Sequence, residues 1–451
     1  MPPINTAYMR SIARASRSTR NQLRHATLLS HNPESHPSVQ GASTAQSSVD
    51  PHSISPNDTT GALNPTFARD PTGTRPLRIL TLDGGGVRGL SSLVIFREFL
   101  ARLEKTPGAT KPVLPADFFD LIIGTSTGGI MALMLGRLKM SVEEVLDMYL
   151  TLSKKVFNTG RVTTAVHACA TMFMDGVPSM YDENKLEKYV KQTIAKRVKD
   201  QDAEAFLEDL SPDACRTAVV TARSADATRP VLMRSYAVPH DADPEKFKIW
   251  EAARATSAAP LYFRPMKAGI YKVPYLDGCI SGHSNPSWIA MQEAKHLWPD
   301  RQIGFFLSLG TGSPTRVALQ APMRRFIQGF VHLSASTVQV HEMAWREFKR
   351  KYEVSPYVRL SVDHEISKFR LDDPSRLDNI TAATLAYLEV ARTSDKIQRC
   401  VELATGVTPS RLGPSNGPHE DEEDILPLSG EPRADVELDL DSMEQRELSR
   451  K

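Results

Sequence analysis

The sequence predicts an α/β protein in which one domain, built on a mostly parallel sheet, sits between two disordered ends. Two strand–loop–helix units and the distribution of apolar residues carry that prediction. Each unit starts with a short β-prone run, turns on glycines and continues with apolar residues at helical spacing, the order in which parallel strands are wound with helices. Between about residues 77 and 405, apolar runs alternate with helical periodicity; on either side the chain is polar and turn-rich, too poor in bulky apolar residues to fold alone. A length of 451 residues suggests two or three domains, but the apolar concentration in the middle favours one core and two tails.

The N-terminal end has no acidic residue before Glu34 and carries Arg10, Arg14, Arg17, Arg20 and Arg24 among serines and threonines. On a helix these arginines share one face, with Ile12, Ala15, Leu23 and Ala26 opposite, the amphipathic and acid-poor pattern of a mitochondrial presequence. A basic disordered tail is the plainer alternative, and contact with anionic lipid a third. Residues 32–75 are dense in Ser, Thr, Pro, Gly and His and read as a linker, giving a disordered stretch over 1–76.

The first unit is Leu77-Arg78-Ile79-Leu80-Thr81-Leu82, then Asp83-Gly84-Gly85-Gly86-Val87-Arg88-Gly89, then a helix over about 90–105 with Leu93, Phe96, Leu100 and Leu103 on one face. Glycines leave backbone N–H groups uncovered and a helix N-terminus adds partial positive charge, so the loop suits an anion. Gly84, Gly86 and Gly89 also satisfy G-x-G-x-x-G, but a dinucleotide site wants an acidic residue at the end of the second strand, and a different motif stands there. A tight turn is the structural alternative, although three consecutive glycines cost more chain entropy than a turn requires. The reading carried forward is an oxyanion hole for acyl transfer.

The second unit runs Phe119-Asp120-Leu121-Ile122-Ile123 into Gly124-Thr125-Ser126-Thr127-Gly128-Gly129 and on into a helix over about 130–138. Strand, G-x-S-x-G and helix make a nucleophile elbow: the sharp turn strains the serine backbone and exposes its hydroxyl, and Gly124 and Gly128 stand where side chains would collide. A serine that only caps the following helix is the alternative.

A serine hydroxyl needs a proton acceptor. Among the histidines after Ser126, which include His240, His283, His341 and His364, none has so distinctive a setting; His283 is the nearest competitor. Tyr271-Lys272-Val273-Pro274-Tyr275-Leu276 is β-prone and closes on Asp277-Gly278, which places Asp277 at a strand end before a loop and a helix from about Ser287. Strand ends of a mostly parallel sheet gather at one rim, where Ser126 and Asp277 can meet, and a carboxylate in reach takes the proton directly. An Asp-Gly turn without chemistry is equally compatible with the residues. Ile130, Met131, Leu133, Met134 and Leu135, with Met172, Phe173 and Met174 further on, are candidates for an acyl groove in competition with ordinary core packing.

Composition narrows the field. A net charge of +2 is too small for a polyanionic partner and no nucleic-acid motif interrupts the core. Cys169, Cys215, Cys279 and Cys400 lie far apart with no C-x-x-C spacing, which fits reduced intracellular thiols and no zinc. No apolar stretch nears the roughly 20 residues of a membrane span, and no signal-peptide core follows the first methionine. The expected location is cytoplasmic or membrane-peripheral, with mitochondria as the minority alternative. After residue 406 the chain is an acidic tail, from His419 to Asp424 almost continuously so.

Asp83 to Gly89, Gly124 to Gly128 and Asp277-Gly278 together resemble the patatin-like phospholipase family, over about residues 77–362. Trp250-Glu251-Ala252-Ala253-Arg254-Ala255-Thr256-Ser257-Ala258-Ala259-Pro260 and Ser308-Leu309-Gly310-Thr311-Gly312 support the match. The resemblance implies a single three-layer domain with a mostly parallel central sheet flanked by helices, and a helical extension over 363–405. It implies a lipid acyl hydrolase of phospholipase A or lysophospholipase type, without cofactor or catalytic calcium, working at a membrane or lipid-droplet surface. Ser126 would be the nucleophile, Asp277 the base of a Ser-Asp dyad without histidine, and Gly84, Gly85, Gly86, Arg88 and Gly89 the oxyanion hole, Arg88 chiefly bracing the loop. One residue departs from the family pattern: Cys279 follows Asp277-Gly278 where Gly or Ala is usual, and it alone favours the other reading, a catalytically silent lipid- or protein-binding module.

Overall fold

Leu77–Leu82 form the first strand, β1, and all six residues are buried. A strand closed off on both faces belongs to a sheet with helices on both sides. In the computed structural model the described residues are 70, 73–109, 111–157, 179–238, 245–312, 324–362 and 365–406, the side chains of 324–336 excepted. The arginine-rich N-terminal segment, the linker to residue 69, Met172 to Met174, Cys169, His240, His364 and the acidic tail lie outside them.

From β1 the chain passes through a 3-10 turn, Gly86–Arg88, into α1 (Gly89–Leu103) and a single turn, α2 (Pro115–Phe118), before β2 (Leu121–Thr125). Next come α3 (Thr127–Ala132), which runs on as a π turn over Leu133–Arg137, then α4 (Val142–Phe157), α5 (Glu183–Ala195), β3 (Arg216–Arg223) and β4 (Asp226–Arg234). The remainder is α6 (Ile249–Thr256), β5 (Met266–Ala268), β6 (Val273–Asp277), α7 (Ser287–Leu297), β7 (Ile303–Leu309), α8 (Arg324–Lys351), β8 (Tyr357–Leu360), α9 (Leu377–Glu389) and α10 (Ala391–Thr405).

The sheet has the order β5-β6-β3-β2-β1-β7-β8, with β4 also paired to β3. Strands β3, β2, β1, β7 and β8 are mutually parallel, whereas β4 and β6 run antiparallel to β3 and β5 antiparallel to β6. Side chains alternate between the faces as the pleat requires. Leu80, Leu82, Ile122, Val219, Phe305 and Leu307 join α1, α3, α4 and the C-terminal helices in one core. Leu77, Ile79, Leu121, Ile123, Val220 and Phe306 join α7 and α8 in the other. The result is a three-layer α/β fold with a mixed, mostly parallel sheet.

Register sets the site. The in-step pairing Leu82↔Gly124 brings the residues after β1 beside those after β2, and Leu82↔Leu309 does the same for the residues after β7. A different device brings in Asp277. Strand β4 occupies one edge of β3 over Ala218 to Arg223, so β2 (partners Arg216 to Val220) and β6 (partners Thr221 to Arg223) share the other. Running in opposite directions, β2 and β6 meet tip to tip, with Asp277 opposite Thr221 one step beyond the Thr125↔Val220 pair. Asp277 and Ser126 are therefore neighbours through an antiparallel strand, not through the common rim of parallel strands that the sequence suggested.

Phe305 on β7 stacks with Phe99 (ring centroids 5.5 Å apart) and Phe119 (6.1 Å) between α1 and the sheet. Truncating a fully buried aromatic costs about 3–5 kcal/mol. Phe305→Ala is expected to lower unfolding free energy by that amount in a urea melt, and a loss under 1 kcal/mol would show that the ring cluster is not central to the fold.

Candidate active site

Ser126 stands at the turn between β2 and α3 with φ 57° and ψ −127°, a left-handed backbone that a non-glycine residue adopts at a cost of about 1–3 kcal/mol. Its neighbours make the turn possible. A Cβ on Gly124 would strike the Gly128 carbonyl, and one on Gly128 would strike the Leu82 carbonyl of β1. The Ser126 N–H donates to Thr256 Oγ1 (2.9 Å), whose hydroxyl donates in turn to the Val220 carbonyl (2.7 Å), so α6 and β3 hold the strained residue in place.

Asp277 is 1% exposed. Its Oδ1 accepts the Cys279 N–H at 2.9 Å, its own N–H donates to the Ala258 carbonyl at 3.1 Å, and the Ser126 hydroxyl interacts with its carboxyl. Gly278 lets the chain lie against the Val220 carbonyl, where a Cβ would be 2.6 Å away. Burial pushes the Asp277 carboxyl up to about 6, against the opposing pull of the Ser126 hydroxyl and the Cys279 N–H. Cys279 supplies a backbone donor that any residue there would supply. Its sulfur fills the space beside Gly84, 2.8 Å from where a Cβ on that glycine would stand, and burial and the Asp277 charge hold it as a thiol.

Asp83, 1% exposed, forms a buried ion pair with Arg359 of β8 (2.6 Å). Arg359 also donates to Ser308 Oγ at 2.7 Å, Ser308 accepts from Ser287, and Ser287 lies 3.1 Å from Thr81. This network fixes the root of the glycine loop. Within the loop, the Gly84 N–H donates to the Ser284 carbonyl, Val87 N–H to Leu371 and Arg88 N–H to Gly85, while the Gly89 N–H turns back onto Gly86 and Val87. The Gly85 and Gly86 N–H groups have no backbone acceptor among the described residues.

Gly84, Gly85, Gly86, Arg88, Ser126 and Asp277 line one cleft, with Phe157, Tyr262, Phe263, Ile280 and Leu371 as its apolar wall. Gly89 stands behind it against the Tyr149 hydroxyl. Ile130, Met131, Leu133, Met134 and Leu135 are instead buried core and do not reach the cleft. The aromatic wall was unreadable in sequence because its members come from α4 and the loop after α6, assembled only by packing. The His283 ring contacts Ser281 at 3.2 Å and is outside the cleft lining; its backbone carbonyl accepts the Thr125 hydroxyl at 2.7 Å, and burial holds its pKa low. Arg88 donates to the Ser367 carbonyl (3.3 Å). Burial lowers its guanidinium to about 10, which leaves it cationic at neutral pH, and the groups that oppose the shift are Tyr262 and Tyr149.

Residues 80–291 match the family model described as patatin-like phospholipase. A phospholipase of Escherichia coli named as cGAMP-activated is 30% identical over 266 residues, which cover 57% of this chain and 68% of that protein. Phospholipase A I of Arabidopsis thaliana is 31% identical over 53% of this chain and 21% of its own length. Calcium-independent phospholipase A2-gamma of Rattus norvegicus is 31% identical over 74% of this chain and 41% of its own. The chain thus spans less than half the length of the latter two.

The Asp277 carboxyl holds its proton more tightly when folded than the ordinary value of 3.8 allows, so its contribution to stability is complete below about pH 4 and is lost as pH rises through about 6. Asp277→Asn, which removes the charge, is expected to stabilise the fold at pH 8 by about 2–3 kcal/mol and to lose that advantage towards pH 4. Urea melts at the two pH values check this; equal effects at both would show that the carboxylate is not strained by burial.

Proposed function

This chain belongs to the patatin-like phospholipase family, and on that premise we propose that it hydrolyses fatty-acyl esters of lipids through Ser126 and Asp277. The observation that carries the reading is the tip-to-tip meeting of β2 and β6, which sets a strained serine against a buried carboxylate beside a loop whose Gly85 and Gly86 N–H groups have no backbone acceptor among the described residues.

The Asp277 carboxylate takes the proton of Ser126 as Oγ attacks the ester carbonyl carbon. Negative charge moves to the carbonyl oxygen, which faces the Gly85 and Gly86 N–H groups; each such donor is worth about 3 kcal/mol in the transition state. Collapse breaks the ester C–O bond, and the alcohol leaves with the proton from Asp277. Water then gives a proton to Asp277 and attacks the acyl-enzyme, which releases the fatty acid and restores the Ser126 hydroxyl. A base titrating near 6 is charged at neutral pH yet basic enough to accept a proton. Within the loop, Gly84 and Gly89 shape the backbone, and Arg88 braces it through Ser367.

The apolar wall of Phe157, Tyr262, Phe263, Ile280 and Leu371 suits an acyl chain. The charge on Arg88 at the cleft favours a phosphate-bearing lipid, a phospholipid or lysophospholipid. Calcium independence, part of the name of the rat relative, is included in this reading: Asp277 moves the protons and backbone N–H groups meet the oxyanion. Among the described residues no helix is long and apolar enough to cross a membrane, and lipid would be met by peripheral contact with a membrane or droplet surface.

Ser126→Ala and Asp277→Asn are each expected to lower kcat at least about a thousandfold on phospholipid and lysophospholipid substrates, and His283→Ala to leave it within a few-fold. Full activity in Asp277→Asn, or complete loss in His283→Ala, would move the base to histidine. In wild type, kcat/KM should rise tenfold per pH unit below about 6 and level off above it, as the free Asp277 carboxyl ionises. A profile flat from pH 4.5 to 7 would remove Asp277 from the role.

A further inference from the structure

Three successive peptide groups of the glycine loop are each held by their carbonyl oxygen. The Gly84 carbonyl accepts Thr311 Oγ1 at 2.8 Å, the Gly85 carbonyl accepts the Arg88 N–H at 3.1 Å, and the Gly86 carbonyl accepts the Tyr149 hydroxyl. In a trans peptide the N–H points away from the C=O. Fixing the Gly84 carbonyl therefore fixes the direction of the Gly85 N–H, and fixing the Gly85 carbonyl fixes that of Gly86. The third peptide is held from both ends, because the Val87 N–H donates to the Leu371 carbonyl at 2.7 Å.

Glycine backbones have little preference of their own, so three in a row do not hold a peptide plane against rotation. If the Gly84–Gly85 plane turned over, a carbonyl oxygen would face the developing negative charge in place of an N–H. The buried Thr311 hydroxyl opposes this directly, and the buried Tyr149 hydroxyl holds the Gly86–Val87 plane at the other end of the loop. Thr311 is 4% exposed and delivered by β7, in register with β1; Tyr149 is 1% exposed and delivered by α4. A Cβ on Gly85 would collide with Thr311, so the close approach is built into both partners. Neither hydroxyl is needed to bind or to move a proton in the reaction outlined above.

We propose that Thr311 and Tyr149 are positioning residues of the oxyanion site: the Thr311 hydroxyl holds the Gly84 carbonyl back and so turns the Gly85 N–H to the reacting ester, while the Tyr149 hydroxyl pins the Gly86–Val87 peptide on which the Gly85–Gly86 plane is hinged. The inference rests on the hydrolase reading and adds to it which side chains set the loop.

The test uses the full chain, a soluble acyl ester, and a trifluoromethyl ketone that mimics the tetrahedral oxyanion. Thr311→Val keeps the shape and removes the hydroxyl. It is expected to lower kcat about tenfold or more with KM within twofold, and to weaken the ketone by the same factor as kcat/KM. Thr311→Ser restores the hydroxyl and should recover most of the rate. Tyr149→Phe removes one oxygen and loosens the Gly86–Val87 plane, is expected to lower kcat by a smaller factor, about threefold, with KM unchanged, and carries the test if Thr311→Val does not fold. Unchanged kcat in folded Thr311→Val and in Tyr149→Phe overturns the inference, as does a loss that Thr311→Ser reproduces in full or that falls on KM alone. A wild-type chain that neither turns over esters nor is labelled by a fluorophosphonate overturns the hydrolase reading and this inference with it.

Discussion

The edge of β3 that faces β2 is shared by two strands laid end to end, and the geometry of the cleft follows from that sharing. Strand β2 leaves at Val220 and β6 arrives at Thr221 from the opposite direction, so one gap in the hydrogen-bond ladder holds both the elbow serine and the buried aspartate. Thr256 and Gly278 both meet the Val220 carbonyl at that junction. Backbone pairing thus sets the relative position of Ser126 and Asp277 without a longer chain of side-chain hydrogen bonds.

Electrostatics at the junction follow from what is missing as much as from what is there. The shift of Asp277 has no cationic contribution among its causes; the opposing influences are a hydroxyl, a thiol and a backbone N–H. Desolvation therefore wins and raises its proton affinity, and it wins at the equally buried Asp83 as well, where Arg359 at 2.6 Å offsets only part of it. The two aspartates differ in what they meet: Asp83 is tied to Arg359 at the root of the glycine loop, and Asp277 faces the Ser126 hydroxyl.

How much of this was legible in the sequence depends on range. Ser126, Gly124, Gly128 and the glycine loop could be placed because each rests on residues within a few positions, and the elbow and the loop each carry their strand and helix with them. Asp277 was found by its strand-end setting and the family pattern, but the reason given, a shared rim of parallel strands, does not hold for an antiparallel β6. Nothing in the sequence separates Tyr149 from any other apolar position on an amphipathic helix. Thr256 and Thr311 sat in stretches that resemblance singled out, but their hydrogen bonds depend on the register of strands and helices more than a hundred residues away. The apolar cleft wall failed for the same reason: the residues following Ser126 were consumed by the core.

The stretch matched by the family model stops at residue 291, inside α7 and short of β7. Strand β7 covers the second edge of β1, brings Thr311 to the glycine loop, and carries β8 with Arg359 beyond it. A polypeptide trimmed to that stretch would keep the glycine loop, Ser126 and Asp277, yet expose the middle of its sheet as a sticky open edge and leave Asp83 without Arg359. The smallest autonomous piece of this molecule accordingly reaches at least to Leu371, whose carbonyl receives the Val87 N–H. The matched stretch and the self-sufficient piece have different borders along this chain, and the second lies some eighty residues past the first.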